Sequence, residues 1–422
     1  MRTFPVTPIR TSRIPFSRIR ALAVPALLAV ALTACGGSGG DDNAKGGSDK
    51  GGAGAPAAVP VTVSPANGKT GVDPGSPVKV SLTEGTIGAV TVTAAAKSND
   101  GVEAVEVTGK LDATKHSWLS DRTMTPGTAY TVKVTAADKS GAQKEQTSTF
   151  TTLAAAKTNG VTVTPVGNAV VGVGQPVSIA FDKPVTNRAA VEKQLSVTTT
   201  PAVQGSWGWI TDPLTGTQRA DWRPAAYWAK GTKVTMTAKL SGLDTGGGRY
   251  LRRDVTSTFT IGTARVSKVD IGAKKMTVTE DGKTVKVINI SAGKSDFPTW
   301  NGRMVVLSKQ STIHMTSTSV GIATNKDAAD FYDKDVKMAV HLTTSGTFVH
   351  AAPWNDANMG KANTSHGCVG MSDADAKWFF DKAVRGDVVE VAGSTRATVD
   401  KGNGYGDWNL TAEAWAKLSA LS

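Results

Sequence analysis

The chain of 422 residues carries 47 lysines and arginines against 35 aspartates and glutamates, a formal charge of +12 at pH 7. The charge is spread along the chain without basic runs interleaved with aromatics, which excludes a nucleic-acid-binding surface. With 2 cysteines and 10 tryptophans, no disulfide framework can hold the fold, and its domains must draw their stability from apolar cores.

Residues 1–34 read as a signal peptide. Arg2, Arg10, Arg13, Arg18 and Arg20 occur without an acidic residue, and an apolar run from Ala21 to Ala34 follows. That run is shorter than the roughly 20 residues needed to span a bilayer, so it marks export, not a membrane-spanning helix. It ends in Leu32-Thr33-Ala34-Cys35, which resembles a bacterial lipobox. The resemblance implies cleavage before Cys35 and a diacylglyceryl group on its sulfur, so that Cys35 anchors the mature chain to the outer face of the cell membrane. Loss of the leader brings the formal charge to about +7, which suits an anionic wall or membrane surface. Residues 35–57, rich in Gly, Ser, Ala and Asp with almost nothing to bury, read as a flexible tether reaching toward the cell wall.

An internal repeat comes next. Val61-Thr62-Val63-Ser64-Pro65 opens a segment that closes in Ser148-Thr149-Phe150-Thr151-Thr152; Val161-Thr162-Val163-Thr164-Pro165 opens one that closes in Ser257-Thr258-Phe259-Thr260-Ile261. Period-two alternation, as in Ala129 to Val134 and Lys233 to Ala238, with frequent Gly/Pro/Asp breaks, predicts two tandem immunoglobulin-like β-sandwiches over 58–155 and 158–263. Trp118 and Trp222 fall at corresponding places in the two copies, each ahead of a second-half strand. Trp207, Trp209 and Trp228 have no counterpart in the first copy, and core or interdomain packing is the expectation for all of them.

The pattern changes over 265–395. Lys275 to Thr279, Glu280-Asp281-Gly282 and Lys283 to Val287 predict a hairpin with a tight turn, and further strands are expected at 304–308, 337–342 and 346–350. Ser372 with Asp375 three residues later resembles a capping box, opening a helix that carries Trp378, Phe379 and Val384 and ends at Gly386. A strand returns over 387–391. The fold class is therefore mainly β, with one main helix in the last domain and an extension over 396–422.

The chemistry gathers in this last domain, at Ser365-His366-Gly367-Cys368. A thiol is largely protonated at neutral pH and needs a nearby imidazole and N–H donors before it can attack a carbonyl. His350 and His366 are the candidates, and His350 is the better base because it can approach from a separate strand. A zinc site built from His350, His366 and Cys368 lacks a fourth ligand at a familiar spacing. Asp327, Asp330, Asp333 and Asp335 lack the offsets of a calcium loop and are expected to be solvated. His116, His314 and His341 are expected to be structural or surface residues, His314 with room to line a groove.

The run from His350 to Ser365-His366-Gly367-Cys368-Val369 resembles the signature of the L,D-transpeptidases, the YkuD-type catalytic domain. Ser291-Ala292-Gly293-Lys294 with Pro298, Thr299 and Gly302, Phe348 to Trp354, and Gly406-Asp407-Trp408-Asn409 extend the similarity. Together with the lipobox and tandem sandwiches, they match the layout of lipoprotein members from actinobacterial cell walls. The resemblance implies 3→3 cross-linking of peptidoglycan tetrapeptide stems through a cysteine acyl-enzyme, with no metal or organic cofactor and with carbapenem-type β-lactams as covalent inhibitors. It makes Cys368 the nucleophile and His350 the base, oriented by the carbonyl of Ala351. It assigns oxyanion stabilisation to backbone N–H groups near Gly367 and Cys368, helped by the Tyr332 hydroxyl, and it places Met315, Ser365 and His366 along the substrate groove. Gly370 departs from the family pattern, which has asparagine there. A hydrolase using water as acceptor would share every named residue, and a wall-binding lipoprotein with an inactive catalytic domain would leave the His/Cys pair unexplained.

Overall fold

A computed structural model describes residues 60–99 and 101–422. The leader, Cys35 and the tether lie outside the described residues. Alternation decides the first repeat: Tyr130, Val132, Val134 and Ala136 of the strand Ala129–Ala137 are buried while the residues between them are not, which is how a strand with one face on a core must read. One sheet orders Val61–Ser64, Lys79–Leu82, Ser117–Ser120 and Gly109–Leu111; the other orders Lys69–Val72, Gln143–Thr152, Ala129–Ala137 and Thr86–Ala94. Tyr130 stacks on Phe150 at 5.5 Å between the ring centroids.

The second repeat has the same strand order. Val161–Thr164, Val177–Phe181, Gln218–Pro224 and Gly205–Thr211 form one sheet, and Val170–Val171, Val255–Ile261, Lys233–Ala238 and Leu195–Thr200 the other. Trp118 and Trp222 do correspond, but each lies within a strand, not ahead of one. The physical reason is a shared slot: each indole covers a glycine on the neighbouring strand, and a methyl group on Gly109 or Gly205 would stand 2.3 or 2.5 Å from the ring. Trp207, Trp209 and Trp228 are buried as well.

The third region opens with the expected hairpin, Lys275–Glu280 and Lys283–Asn289, turned by Asp281 and Gly282 with φ of 49° and 81°. Positive φ at both central residues is what a two-residue turn needs to match the strand twist. A five-stranded sheet orders Lys283–Asn289, Lys275–Glu280, Arg265–Asp270, Val388–Ala392 and Gly302–Val305, and a four-stranded sheet orders Ser308–Thr316, Asp333–His341, Phe348–Ala351 and Val369–Met371. Val269, Val278, Val349, Val369 and Val389 share one core with Phe379 of the helix. That helix spans Asp373–Lys382 with Ser372 accepting from the Asp375 N–H at its start; it stops short of Gly386, because Ala383 already takes an extended conformation.

The segment 396–422 is more than an extension. It carries a 3₁₀ turn, Gly406–Asn409, and a short helix, Ala412–Ala416. Both pack against the second sandwich: the Trp408 indole donates to the Gly174 carbonyl at 2.7 Å and Trp415 to that of Ser206 at 3.0 Å.

Candidate active site

Two adjacent parallel strands carry the chemistry. Phe348–Ala351 and Val369–Met371 pair in the register Val349 with Val369 and His350 with Gly370. Val369 and Met371 point into the core, so Cys368 and Gly370 face the other way, onto the His350 side of the sheet. The thiol and the imidazole line one cavity of about 780 Å³ together with Met315, Tyr332, Ser365, His366, Gly367 and Gly370. The fold thus brings together every residue that the sequence assigned to the site in this domain.

His350 is 6% exposed, and its Nδ1 lies 2.8 Å from the Ala351 carbonyl. A carbonyl only accepts, so Nδ1 carries the proton and Nε2 holds the lone pair. Burial lowers the pKa of His350, the Ala351 carbonyl opposes that shift, and the charge of Lys334 adds to it. The ring is also stacked on Trp354 at 6.1 Å, with the Lys334 ammonium 4.4 Å over the indole.

Cys368 keeps partial exposure to the cavity, yet its sulfur is enclosed enough that burial pushes the thiol up to about 11, opposed by the backbone N–H of Phe348. Its Sγ sits 3.7 Å from the Gly346 carbonyl. At neutral pH the pair is accordingly a thiol beside a neutral imidazole, not a preformed ion pair.

The loop before Cys368 is fixed from within. Ser365 Oγ donates to the Cys368 carbonyl at 2.6 Å and accepts from the Gly367 N–H at 3.2 Å. Gly367 takes φ 119°, a conformation open to glycine, so the chain turns there while its amide is held by Ser365. His366 does not compete as the base: its Nε2 lies 3.0 Å from Asp330 Oδ1, between the rings of Phe297 and Tyr332 at 5.0 and 5.2 Å. Tyr332 is half-buried, and its pKa is pushed up to about 12, first by burial and then by the charge of a Cys368 thiolate.

The acidic stretch is solvent-exposed at Asp327, Asp333 and Asp335 as expected, but Asp333 and Asp335 lie on a strand and three of its carboxylates are paired. Asp330 binds both Lys294 and His366, while Asp333 and Asp335 hold His314 at 3.0 and 2.9 Å. These pairs join residues 19 to 36 positions apart in sequence, and no local spacing announces them. The Phe348 and Gly346 backbone groups around the sulfur escaped sequence reading for the same reason. Trp354 and Lys334 could have been flagged as an aromatic four residues after the base and a cation in the preceding strand.

Two family models match the order of domains seen in the fold. The bacterial Ig domain model matches residues 69–244, and the L,D-transpeptidase catalytic domain model matches residues 264–391. L,D-transpeptidase 2 of Mycobacterium tuberculosis is 35% identical over 404 residues, covering 94% of this chain and 95% of that protein. L,D-transpeptidase 5 of the same species is 31% identical, over 87% of this chain and 78% of that protein. Among solved structures, an L,D-transpeptidase in complex with imipenem is 33% identical, covers 55% of this chain and 99% of its own, and superposes with a TM-score of 0.48. Immunoglobulin-like modules preceding a YkuD-type catalytic domain define the class, and the chain belongs to the L,D-transpeptidase family.

Proposed function

We propose that this chain cross-links peptidoglycan stem peptides by acyl transfer through Cys368, with His350 as proton acceptor and donor. The observation that carries this reading is the His350 tautomer: Nδ1–H is committed to Ala351, so a free Nε2 lone pair stands on the strand beside the thiol. The attack begins from neutral groups. As Sγ bonds to the carbonyl carbon of the third residue of a tetrapeptide stem, its proton passes to Nε2. The proton then goes to the departing D-alanine amine when the C–N bond breaks, leaving a thioester. The side-chain amine of a second stem's diamino acid attacks that thioester and gives its proton to His350, and the Cys368 thiol is regenerated with a 3→3 link formed.

Tyr332, kept protonated by its raised pKa, supplies an O–H toward the developing oxyanion. Gly370 lies in register with His350 where an asparagine would reach the substrate, and a methyl group there would already touch Ala352 Cβ at 3.0 Å. The same thiol opens a β-lactam ring to give a stable thioester, which makes carbapenems covalent probes of the site. Anchoring through a lipid on Cys35 at the outer face of the membrane places this chemistry at the cell wall.

Purified mature protein incubated with tetrapeptide muropeptides is expected to yield 3→3 dimers by mass spectrometry, and Cys368→Ala is expected to yield none while unfolding at nearly the wild-type temperature. Dimers or a covalent carbapenem adduct from that variant would remove Cys368 from the role, and tripeptides without dimers would identify water as the acceptor. The pH dependence has a fixed sign. Acylation falls as pH drops through the lowered His350 pKa, so its acid limb lies below the ordinary 6.5. Alkylation of the resting thiol by iodoacetamide is expected to rise toward the thiol's pKa of about 11, in contrast to a thiolate enzyme.

A further inference from the structure

Arg396 lines the same cavity as Cys368 but enters it from the loop after the strand Val388–Ala392, and the mechanism above gives it no task. That loop is held firmly. Asn301 Nδ2 donates to the carbonyls of Ser394 and Arg396 at 2.6 and 2.7 Å, and its Oδ1 accepts from the Ser394 N–H at 3.1 Å. The Arg396 N–H in turn donates to Ser394 Oγ at 3.2 Å.

The side chain is fixed as well. Its guanidinium carbon lies 3.5 Å from the centroid of the Trp300 ring, and Nη1 donates to the Pro298 carbonyl at 3.2 Å. A guanidinium clamped on one face and at one nitrogen keeps its remaining N–H donors for one direction. Lys334, the lysine that lines the cavity, is spent on Trp354, and Lys294, nearby in the sequence segment of Trp300, is neutralised by Asp330. Arg396 meets no carboxylate among the described residues, and burial alone shifts its pKa, downward. A half-buried cation held in place without a counterion is built to receive one from outside.

Its position tells which part of a substrate it meets. A methyl group on Gly367 would stand 3.9 Å from Arg396 Nη1, one residue before the thiol, whereas His350 is in register with Gly370, two residues after it. The leaving amine takes its proton from His350 and so lies on that side. We infer that Arg396 is a specificity-determining residue that grips a carboxylate on the acyl portion of the donor stem, on the side of Cys368 away from His350. The inference rests on the cross-linking function proposed above.

Two synthetic donor stems that differ only in a free carboxylate or a carboxamide on the side chain of the acyl residue test it, with the full mature chain. Wild type is expected to favour the acid stem through KM. Arg396→Gln leaves a shorter, neutral amide in place of the guanidinium; it is expected to raise KM for the acid stem about tenfold, in line with the loss of a charge-assisted hydrogen bond, to shift kcat far less, and to abolish the preference between stems. Arg396→Lys should fall between, since an ammonium lacks the planar fork. Equal effects of Arg396→Gln on both stems, or none on either, overturn the inference, because a merely structural arginine would not read the carboxylate. Calorimetric binding of both stems to the Cys368→Ala chain, with and without Arg396→Gln, needs no turnover. If wild type turns over neither stem, the proposed function fails, and the ratio of the two Kd values still decides for or against Arg396.

Discussion

The first sandwich meets the second through polar groups. Arg122 Nη2 bridges both carboxylate oxygens of Asp254 at 3.0 and 2.8 Å, Thr123 donates to the Ser241 carbonyl, and the hydroxyls of Thr125 and Ser241 share a hydrogen bond. The second sandwich meets the catalytic region through its own core, which takes in Val388 of the catalytic sheet and packs against Val266 and Ala420. Arg223 reaches across this junction to the carbonyls of Asp407 and Leu410 and lies 4.7 and 5.0 Å from the rings of Trp408 and Trp415. Gly208 is part of the same fit, since a methyl group there would stand 2.6 Å from the Trp415 indole. Two modules of one strand order thus do different work: the second is structurally continuous with the enzyme, and the first is joined to it by a polar seam. Trp207 and Trp209, absent from the first copy, lie on the strand that receives the C-terminal segment, where the Trp209 N–H donates to the Leu418 carbonyl.

The sharpest contrast comes from two tryptophans buried to a similar degree, Trp408 at 2% and Trp118 at 5% exposure. Trp408→Ala is expected to cost about 3–5 kcal/mol and to lower the rate of acyl transfer at the assay temperature. Trp118→Ala should carry a similar cost within the first sandwich, with catalysis retained. Calorimetric unfolding alongside muropeptide assays checks both, and loss of activity in Trp118→Ala would dissolve the distinction between the two junctions.

A smaller effect separates the junctions by pH. Asp407 is fully buried, and that burial raises its pKa from 3.8, aided by the Asp221 carboxylate and opposed by the charge of Arg223. The folded state therefore keeps a proton that the unfolded chain releases, so this contribution to stability is complete below 3.8 and is lost as pH rises through the folded value of about 7. Melting temperatures over that window should decline for wild type relative to Asp407→Asn, and parallel curves would show that Asp407 does not titrate there. The smallest effect is expected at the polar seam. Arg122→Ala removes a pair whose arginine is 10% and aspartate 31% exposed, a loss of about 1 kcal/mol, and it should free the first sandwich without changing kcat/KM of the catalytic region.

Much of the molecule could be read from local pattern. Alternation along Ala129–Ala137 and Lys233–Ala238 sets strands, Asp281-Gly282 sets a turn, Ser372 starts a helix, and the Ser365 to Cys368 run with His350 marks the reactive pair, because each depends on neighbours a few residues away or on a chemistry that few side chains supply. Other features are settled only by the fold. Asp330 finds His366, Asn301 finds Ser394 and Arg396, and Arg223 finds Asp407 across 36 to 184 positions of chain, separations at which sequence carries no spacing rule. The segment 396–422 looked like an appendage because its stabilising partners, the Gly174 and Ser206 carbonyls, belong to another domain. The protonation state of the thiol also lay beyond sequence, since composition supplies a cysteine and a histidine, but only three-dimensional burial decides that both rest neutral until a substrate arrives.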